Sequence, residues 1–374
     1  IADPNAPWVN YTKINSQDGQ SAKWWNWNYT MIKYANTVIA GIENPAAKLT
    51  ADEKNALAAE ARFLRAWGYR NLVIAFGGVP IIAGPVTAPK VDFTRNTQAE
   101  CYDFIKKDLT FASANLPIST TVPGKVVRAA SDHLLAEINI ILKDYDGAIA
   151  AATKVINGTD GPYSLMNTRF GARRTETTTT RGTPVDYYWD LHEINNSDYQ
   201  MGNKEAIWVA QFERNVPGGG IAFPTQGNWM IQGRAYWCRH WLFAKAGLAV
   251  PGASDSVGRG ASFIRGTTYS NWDVWARSAG DIRNSEANIR RNFYFGANIA
   301  AAGGQPAYKK GDLIPKSFLT AYEDTMWYIY PNWTKFGTDK HADGNFINGY
   351  TKDQYVMRLP ETYLLRAEAY LAKG

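Results

Sequence analysis

The sequence predicts a mainly α protein: a right-handed superhelix of tetratricopeptide-like helical hairpins that carries a large loop-rich cap. Apolar residues recur at three- and four-residue spacing through most of residues 23–160. The sequence LKDYDGA joins two alanine-rich helices, as a tetratricopeptide turn does. From Gly161 onward, glycine, threonine and aromatic residues replace this periodicity. We expect a single domain with a helical part, a cap and the start of a last hairpin (1–160, 161–350 and 351–374).

The first predicted hairpin joins an aromatic helix to a long buried one. An apolar stripe begins just after Lys23, and we expect it to lie in the core because such stripes are most often core. Its members are Trp24, Trp27, Met31, Tyr34, Val38 and Ile42. The second helix starts with the capping box of Thr50 and Glu53 and ends at a Gly-Gly-x-Pro turn from Gly77. Two apolar sides, with Leu64 on one of them, predict that it packs between other helices.

Two further helical stretches complete the predicted solenoid. One follows Asp92 and stops by Pro117, and the tetratricopeptide-like pair occupies residues 126–158. The spacing from hairpin to hairpin is irregular, so the repeats are degenerate. In the cap, residues 204–212 are predicted to be extended because β-branched and aromatic residues alternate there.

Composition and charge exclude several classes of function. The net charge is +6, but basic and acidic residues are interspersed, so we predict no nucleic-acid surface. No apolar run is long enough to span a membrane. Cys101 and Cys238 have no metal-binding spacing. They are expected to be free, packed thiols, and a disulfide between them is the alternative.

No pattern in the sequence demands catalysis, and we predict no catalytic residue and no metal site. Acidic residues of the cap are candidates for a glycosidase pair only by location, and surface solvation is the simpler interpretation. They are Asp186, Asp190, Glu193, Glu205 and Glu213. The four histidines form no catalytic motif, and His133 is expected to be packed in a helix. Residues 339–345 faintly resemble a calcium loop, but Tyr350 stands where the closing glutamate belongs. We therefore expect no cofactor, with calcium as the alternative.

Aromatic side chains in glycine-rich segments are the strongest indication of a binding site. An indole can cover the apolar face of a sugar while nearby polar side chains bind the hydroxyls. Trp229 is predicted to stack on such a ring, because its loop has no period that would bury it. Trp237 could equally form the buried face of a short helix with Trp241, four residues later. The predicted ligand-binding residues of this region are Gln226, Asn228, Trp229, Arg234, Tyr236 and Trp237.

Two long motifs carry a family resemblance. Residues 59–82, AEARFLRAWGYRNLVIAFGGVPII, and residues 355–374, YVMRLPETYLLRAEAYLAKG, resemble the two signatures of the SusD/RagB family. These are surface nutrient-binding lipoproteins of Bacteroidetes. The resemblance implies a non-catalytic protein that captures oligosaccharides or polysaccharides and passes them to a SusC-like, TonB-dependent transporter. It also implies that Trp8 and Asn10 face the region of Trp229.

The same resemblance implies a location and leaves two other functions open. We expect a cell-surface protein held to the outer membrane by an N-terminal lipid anchor outside this sequence, with further helices beyond Gly374. A chain extended by another helix should then be more stable, because Leu364 and Leu371 would be covered. The alternatives are a tetratricopeptide-like scaffold for proteins or peptides and an α-helical carbohydrate-active enzyme.

Overall fold

The computed structural model of the chain is mainly helical, as predicted. It describes residues 18–180, 182–214, 264–301, 306–337 and 352–374, together with residues 12, 15, 216, 219–221, 236–239, 244–245, 248–249, 260, 262 and 304. The helices are α1 (Gly19–Gly41), α2 (Ala51–Phe76), α3 (Gln98–Asn115), α4 (Arg128–Ile141), α5 (Tyr145–Ile156), α6 (Tyr187–Leu191), α7 (Val274–Ala276) and α8 (Leu359–Lys373).

The described residues separate into two units. The helical unit contains residues 12–165, 204–209 and 355–374, and the loop-rich unit contains residues 166–203, 210–337 and 352–354. Each unit has its own cluster of buried apolar side chains. The expectation of a single domain over residues 1–374 stays a prediction.

In the helical unit, consecutive helices pack on one another from α1 to α5, and α5 also packs on α8. The capping box of α2 is confirmed, because Thr50 N–H donates to Glu53 Oε2 at 2.8 Å and Glu53 N–H donates to Thr50 Oγ1 at 3.3 Å. The helix ends at Gly77, whose φ of +74° favours glycine. A Cβ on Gly78 would lie 2.1 Å from Asn96 O, so this turn requires a second glycine. The arrangement of these helices as a right-handed superhelix of tetratricopeptide-like hairpins stays a prediction.

The prediction that the apolar stripe of α1 lies in the core is wrong for its aromatic members, whereas Ile42 is buried as expected. Trp24, Trp27 and Tyr34 are 44%, 53% and 63% exposed. The buried face of α1 instead contains two asparagines, Asn28 and Asn36. Asn36 Nδ2 donates to Ile82 O at 2.7 Å, and its Oδ1 accepts from Arg65 at 2.7 Å. These polar groups can be buried because partners on α2 and in the following turn satisfy them.

The loop-rich unit has short strands and its own apolar core. Among the described residues the strands are β1 (Ala206–Ala210), β2 (Glu213–Arg214), β3 (Gly220–Ile221), β4 (Ala244–Lys245), β5 (Leu248–Ala249), β6 (Ile289–Arg290), β7 (Asn332–Trp333) and β8 (Gln354–Arg358). The extended segment predicted at 204–212 contains β1, which pairs with β8. In the loop-rich unit, β6 and β7 pair antiparallel, with Ile289 opposite Trp333.

Several single-residue predictions can be compared with the structure. Cys101 and Cys238 are both free and buried, as expected. His133 is packed in α4, where its Nδ1 lies 2.8 Å from Thr362 Oγ1.

The expectation that the acidic residues of the cap are solvated is wrong for three of the five. Asp190, Glu193 and Glu205 are buried and pair with arginines. Asp186 caps α6 by accepting from Trp189 N at 2.8 Å.

Candidate functional site

A pocket of about 360 Å³ lies within the loop-rich unit. We call it the Trp275 pocket. Two indoles and two phenols contribute apolar walls, and an acid–base pair, a lysine and serine hydroxyls contribute polar groups. The side chains used below are Tyr188, Tyr269, Ser270, Trp275, Asp281, Arg283, Trp333 and Lys335. All of them belong to residues that the structure describes in this one unit.

Trp275 is placed by a short irregular helix. A π-helix, Tyr269–Asp273, continues directly into α7. The indole Nε1 of Trp275 donates to the backbone oxygen of Ser270 at 2.9 Å, which fixes the orientation of the ring. The N–H of this partly buried indole is thus satisfied within the protein, and its ring contributes apolar surface to the pocket.

Trp333 forms the wall beside Trp275 and is placed by strand pairing. It lies on β7, and its Nε1 donates to Asn271 Oδ1 at 3.1 Å. Asn271 is buried, and its amide donates to Gly266 O at 3.0 Å, so the acceptor of this bond is itself fixed. The ring centroids of Trp275 and Trp333 are 6.1 Å apart, and the ring planes are inclined at 53°. The two indoles therefore form an angled apolar surface rather than a closed stack.

An ion pair supplies the charged groups of the pocket. Arg283 Nε donates to Asp281 Oδ1 at 2.9 Å, and Arg283 N–H donates to the same oxygen at 2.9 Å. Arg283 holds the pKa of the Asp281 carboxyl below its usual value, and Asp281 raises the pKa of Arg283. Both groups are therefore charged at neutral pH. The guanidinium carbon of Arg283 lies 5.9 Å from the Trp275 ring centroid. A ligand that covers the indole would therefore also be close to the guanidinium.

Tyr188 reaches the pocket from α6 because Asp186 fixes the start of that helix. Besides capping α6, the Asp186 carboxylate accepts from Ser285 Oγ at 3.1 Å and from Asn288 Nδ2 at 3.0 Å. Asn288 also accepts through its backbone oxygen from Thr334 N–H at 3.0 Å. One hydrogen-bonded network thus connects the helix that carries Tyr188 to the segment that follows Trp333.

Two residues that were predicted to bind ligand, Tyr236 and Trp237, pack against the segment that begins at Trp333. Tyr236 stacks on Phe336 with ring centroids 4.0 Å apart and planes inclined at 7°. Trp237 is 5% exposed, and a Cβ added to Gly337 would lie only 2.1 Å from its ring. The indole Nε1 of Trp237 donates to Trp333 O at 3.1 Å. The backbone of the segment after Trp333 covers the Trp237 ring, which favours the alternative of a packed side chain. The contact of Trp237 with ligand stays a prediction.

The other predicted ligand-binding residues cannot be placed. They lie outside the described residues and are Trp8, Asn10, Gln226, Asn228, Trp229 and Arg234. Residues 339–345, considered for calcium, also lie outside them. In the described part of the chain, no group of three or more His, Cys, Asp or Glu side chains could hold a metal ion.

Sequence reasoning did not select the residues that line the Trp275 pocket. Trp275 is the last residue of the motif YSNWDVW, whose mixture of polar and aromatic residues does not show the period of the helix that it forms. The signal that could have found it is the acid–base pair in GDIRN, six residues further on. An Asp and an Arg two residues apart in a turn can pair with each other and still present donors and acceptors to a ligand.

Comparison with known proteins finds relatives of this chain among SusD-like proteins. Residues 2–139 match the SusD-like family described as "Starch-binding associating with outer membrane". Over 156 residues the chain is 33% identical to SusD-like protein P2 of Formosa agariphila. A SusD-like protein of Bacteroides fragilis superposes with a TM-score of 0.63 at 22% identity, covering 99% of this chain and 68% of that one. The N-terminal part of the chain thus matches the SusD-like family, and the chain shares the fold of SusD-like proteins.

Another solved structure that resembles this chain is described by its ligand. A laminarin-binding SusD-like protein superposes with a TM-score of 0.66 at 21% identity, covering 97% of this chain and 69% of that protein. The match to the Formosa protein covers 40% of this chain and 30% of that relative. At these identities the superpositions establish the shared fold. None of the described helices is both long and apolar enough to cross a membrane.

Proposed function

We propose that this protein is a non-catalytic binding protein that captures an oligosaccharide in the Trp275 pocket. The observation that supports it is the pair of inclined indoles beside an Asp–Arg ion pair. A pyranose ring has apolar C–H faces and polar edges, so it can cover an indole while its hydroxyls bond to charged groups. Charge-assisted hydrogen bonds from a fixed guanidinium and carboxylate would select the orientation of the sugar.

The wider role that we propose follows from the family. The bound glycan would be passed to a SusC-like, TonB-dependent transporter at the outer membrane, where an N-terminal lipid would anchor the protein. The family description, which mentions association with the outer membrane, supports this location. The laminarin-binding relative supports a glycan as ligand.

Calorimetric titration of the protein with a panel of oligosaccharides tests the proposal. Laminarin oligosaccharides are the first probe, and other neutral glucans and charged glycans complete the panel. Trp275→Ala should weaken the affinity for the best glycan about five- to 150-fold, the equivalent of roughly 1–3 kcal/mol for covering a large aromatic face. Its melting temperature should stay close to that of the unmodified protein.

Trp272→Ala is the matched control. Trp272 lies on the same short helix and is 45% exposed, but it does not line the pocket. Its substitution should leave the affinity within about twofold of the unmodified protein. Equal losses of affinity for both variants, or unchanged binding by Trp275→Ala, would show that the glycan binds elsewhere.

A second candidate function has its own observation. The exposed stripe of α1 and the partly buried Leu64 of α2 border an apolar groove of about 520 Å³ in the helical unit. Such a groove suits the apolar face of a helical peptide. A peptide library that binds in place of the glycan panel, with binding lost in Trp27→Ala, would favour this scaffold function.

A further inference from the structure

A buried lysine lies directly behind the wall of the Trp275 pocket. Lys352 is 3% exposed. Its ammonium donates to Lys335 O at 3.0 Å and to Gly337 O at 2.8 Å. Because an ammonium has three N–H groups and no acceptor, it is suited to bind two carbonyls of one segment at once. Lys352 thus holds the segment that immediately follows Trp333.

We propose that Lys352 is a positioning residue for glycan binding: its ammonium fixes residues 333–337, which we call the wall segment, in the conformation that presents Trp333 to the pocket. This inference rests on the proposed function of the pocket. A charged lysine completely surrounded by protein is costly unless it is bonded. Both hydrogen bonds of the Lys352 ammonium go to backbone oxygens of the wall segment. The charge on Lys352 is therefore coupled to the conformation of that segment.

Two further supports of the wall segment do not titrate. Trp237 Nε1 donates to Trp333 O at 3.1 Å, and Thr334 N–H donates to Asn288 O at 3.0 Å. Trp237 and Lys352 thus donate to the backbone oxygens of three residues of the wall segment, Trp333, Lys335 and Gly337. The fourth contact holds Thr334 between them, because its N–H donates to Asn288 O. Lys352 is the member of this set whose charge depends on pH.

The surroundings of Lys352 bring its proton loss close to neutral pH. Burial lowers the pKa of Lys352 to about 8, although the carboxylate of Glu193 opposes this shift. Glu193 is itself held by Arg173. The neighbouring Asp353 carboxylate is engaged by Phe212 N–H at 2.8 Å. A neutral amine retains two N–H donors, but its bonds are no longer charge-assisted and are about half as strong.

The test is the pH dependence of glycan affinity between pH 7 and 9, measured by calorimetry with the best oligosaccharide of the panel. The dissociation constant of the unmodified protein should rise about three- to tenfold over this range. Lys352→Met should bind more weakly at pH 7 and show no further loss up to pH 9. Trp237→Phe, which removes a support that does not titrate, should keep the pH response. A flat profile of the unmodified protein, or a parallel profile for Lys352→Met, would overturn the proposal.

A second measurement does not need the ligand, and a Trp333→Phe variant assigns its resonance among the fourteen tryptophans. In protein labelled with 5-fluorotryptophan, the fluorine resonance of Trp333 should shift with a midpoint near the pKa of Lys352. An unchanged Trp333 resonance between pH 7 and 9 would contradict the positioning role even if glycan binds. Conversely, if Trp275→Ala binds glycan normally, the proposed pocket is wrong, and a shifting Trp333 resonance would still show that Lys352 controls the wall segment.

Discussion

At the scale of single residues, the role of a tryptophan depends on whether other residues cover its indole ring. The residues next to it in sequence do not show which distant residues pack on that ring. Trp275 and Trp237 each donate their indole N–H to a backbone oxygen. Trp275 keeps ring surface in a pocket, whereas Gly337, 100 residues along the chain, covers Trp237. The sequence could therefore predict that aromatic residues of the loop-rich region serve a binding surface. It could not predict which of them do.

Another residue-scale feature is a pair of buried carboxyl groups in the helical unit. Asp132 and Asp160 are both fully buried. Asp132 accepts from Ser113 at 2.8 Å and from Lys154 at 3.2 Å. Within the described part of the chain, neither carboxyl oxygen of Asp160 has a hydrogen-bond donor. Burial, and then the charge of Asp132, raise the pKa of Asp160 to about 7. The two carboxyl groups can therefore share one proton at mildly acidic pH.

This pair makes a prediction about the pH dependence of stability. Between the unfolded pKa of 3.8 and the folded value of about 7, the folded state binds more protons than the unfolded state. The free energy of unfolding must therefore fall as pH rises through this range. Asp160→Asn removes the titration, so its stability relative to the unmodified protein should improve by roughly 1–3 kcal/mol from pH 5 to pH 8. Denaturant titration at the two pH values measures this difference.

Asp144→Asn provides a control whose effect should not depend on pH in this range. The ammonium of Lys106 lies 2.6 Å from Asp144 and lowers the pKa of that carboxyl, so Asp144 is ionised in both the folded and the unfolded state between pH 5 and pH 8. The substitution should destabilise the protein by less than about 1 kcal/mol, equally at both pH values, because the pair is partly exposed. If Asp144→Asn gained as much relative stability from pH 5 to pH 8 as Asp160→Asn, the assignment of the pH effect to Asp160 would be wrong.

At the scale of elements, the two ends of α2 were predictable and the buried face of α1 was not. Thr50, Glu53 and Gly77 act locally, through caps that the structure confirms. The buried face of α1 depends instead on Arg65 of α2 and on the turn after α2, which satisfy Asn36. Periodicity favoured the aromatic side of α1, because it contains no information about distant hydrogen-bond partners.

The same reasoning separates two leucines of α2. Leu72 has no exposed surface, whereas Leu64 is partly buried at the groove beside Trp27. Leu72→Ala should cost about 2–5 kcal/mol of unfolding free energy, because it removes buried methyl groups and leaves a cavity. Leu64→Ala should cost clearly less, because water already reaches the side chain. Chemical denaturation of both variants measures the two values, and equal costs would mean that the groove is covered in solution.

At the scale of the whole molecule, the two units have separate apolar cores, and the Trp275 pocket belongs to one of them. Leu72→Ala should therefore lower the melting temperature and leave the glycan dissociation constant at 25 °C within about twofold. Trp275→Ala should leave the melting temperature nearly unchanged and raise the glycan dissociation constant. Melting curves and calorimetry on the same two preparations test this separation. Loss of glycan affinity in folded Leu72→Ala would show that the helical core contributes to the pocket.

The net charge of +6 raises the question of whether long-range electrostatic attraction contributes to glycan affinity. Within the pocket, Asp281 compensates Arg283, and a neutral oligosaccharide has no charge for the distant lysines and arginines to attract. Salt screens exposed charges beyond about 10 Å at 0.1 M. The affinity for a neutral glycan should therefore change less than about twofold between 50 mM and 500 mM NaCl, as calorimetry can measure. A tenfold fall would mean that long-range charge, rather than the inclined indoles and their ion pair, dominates binding.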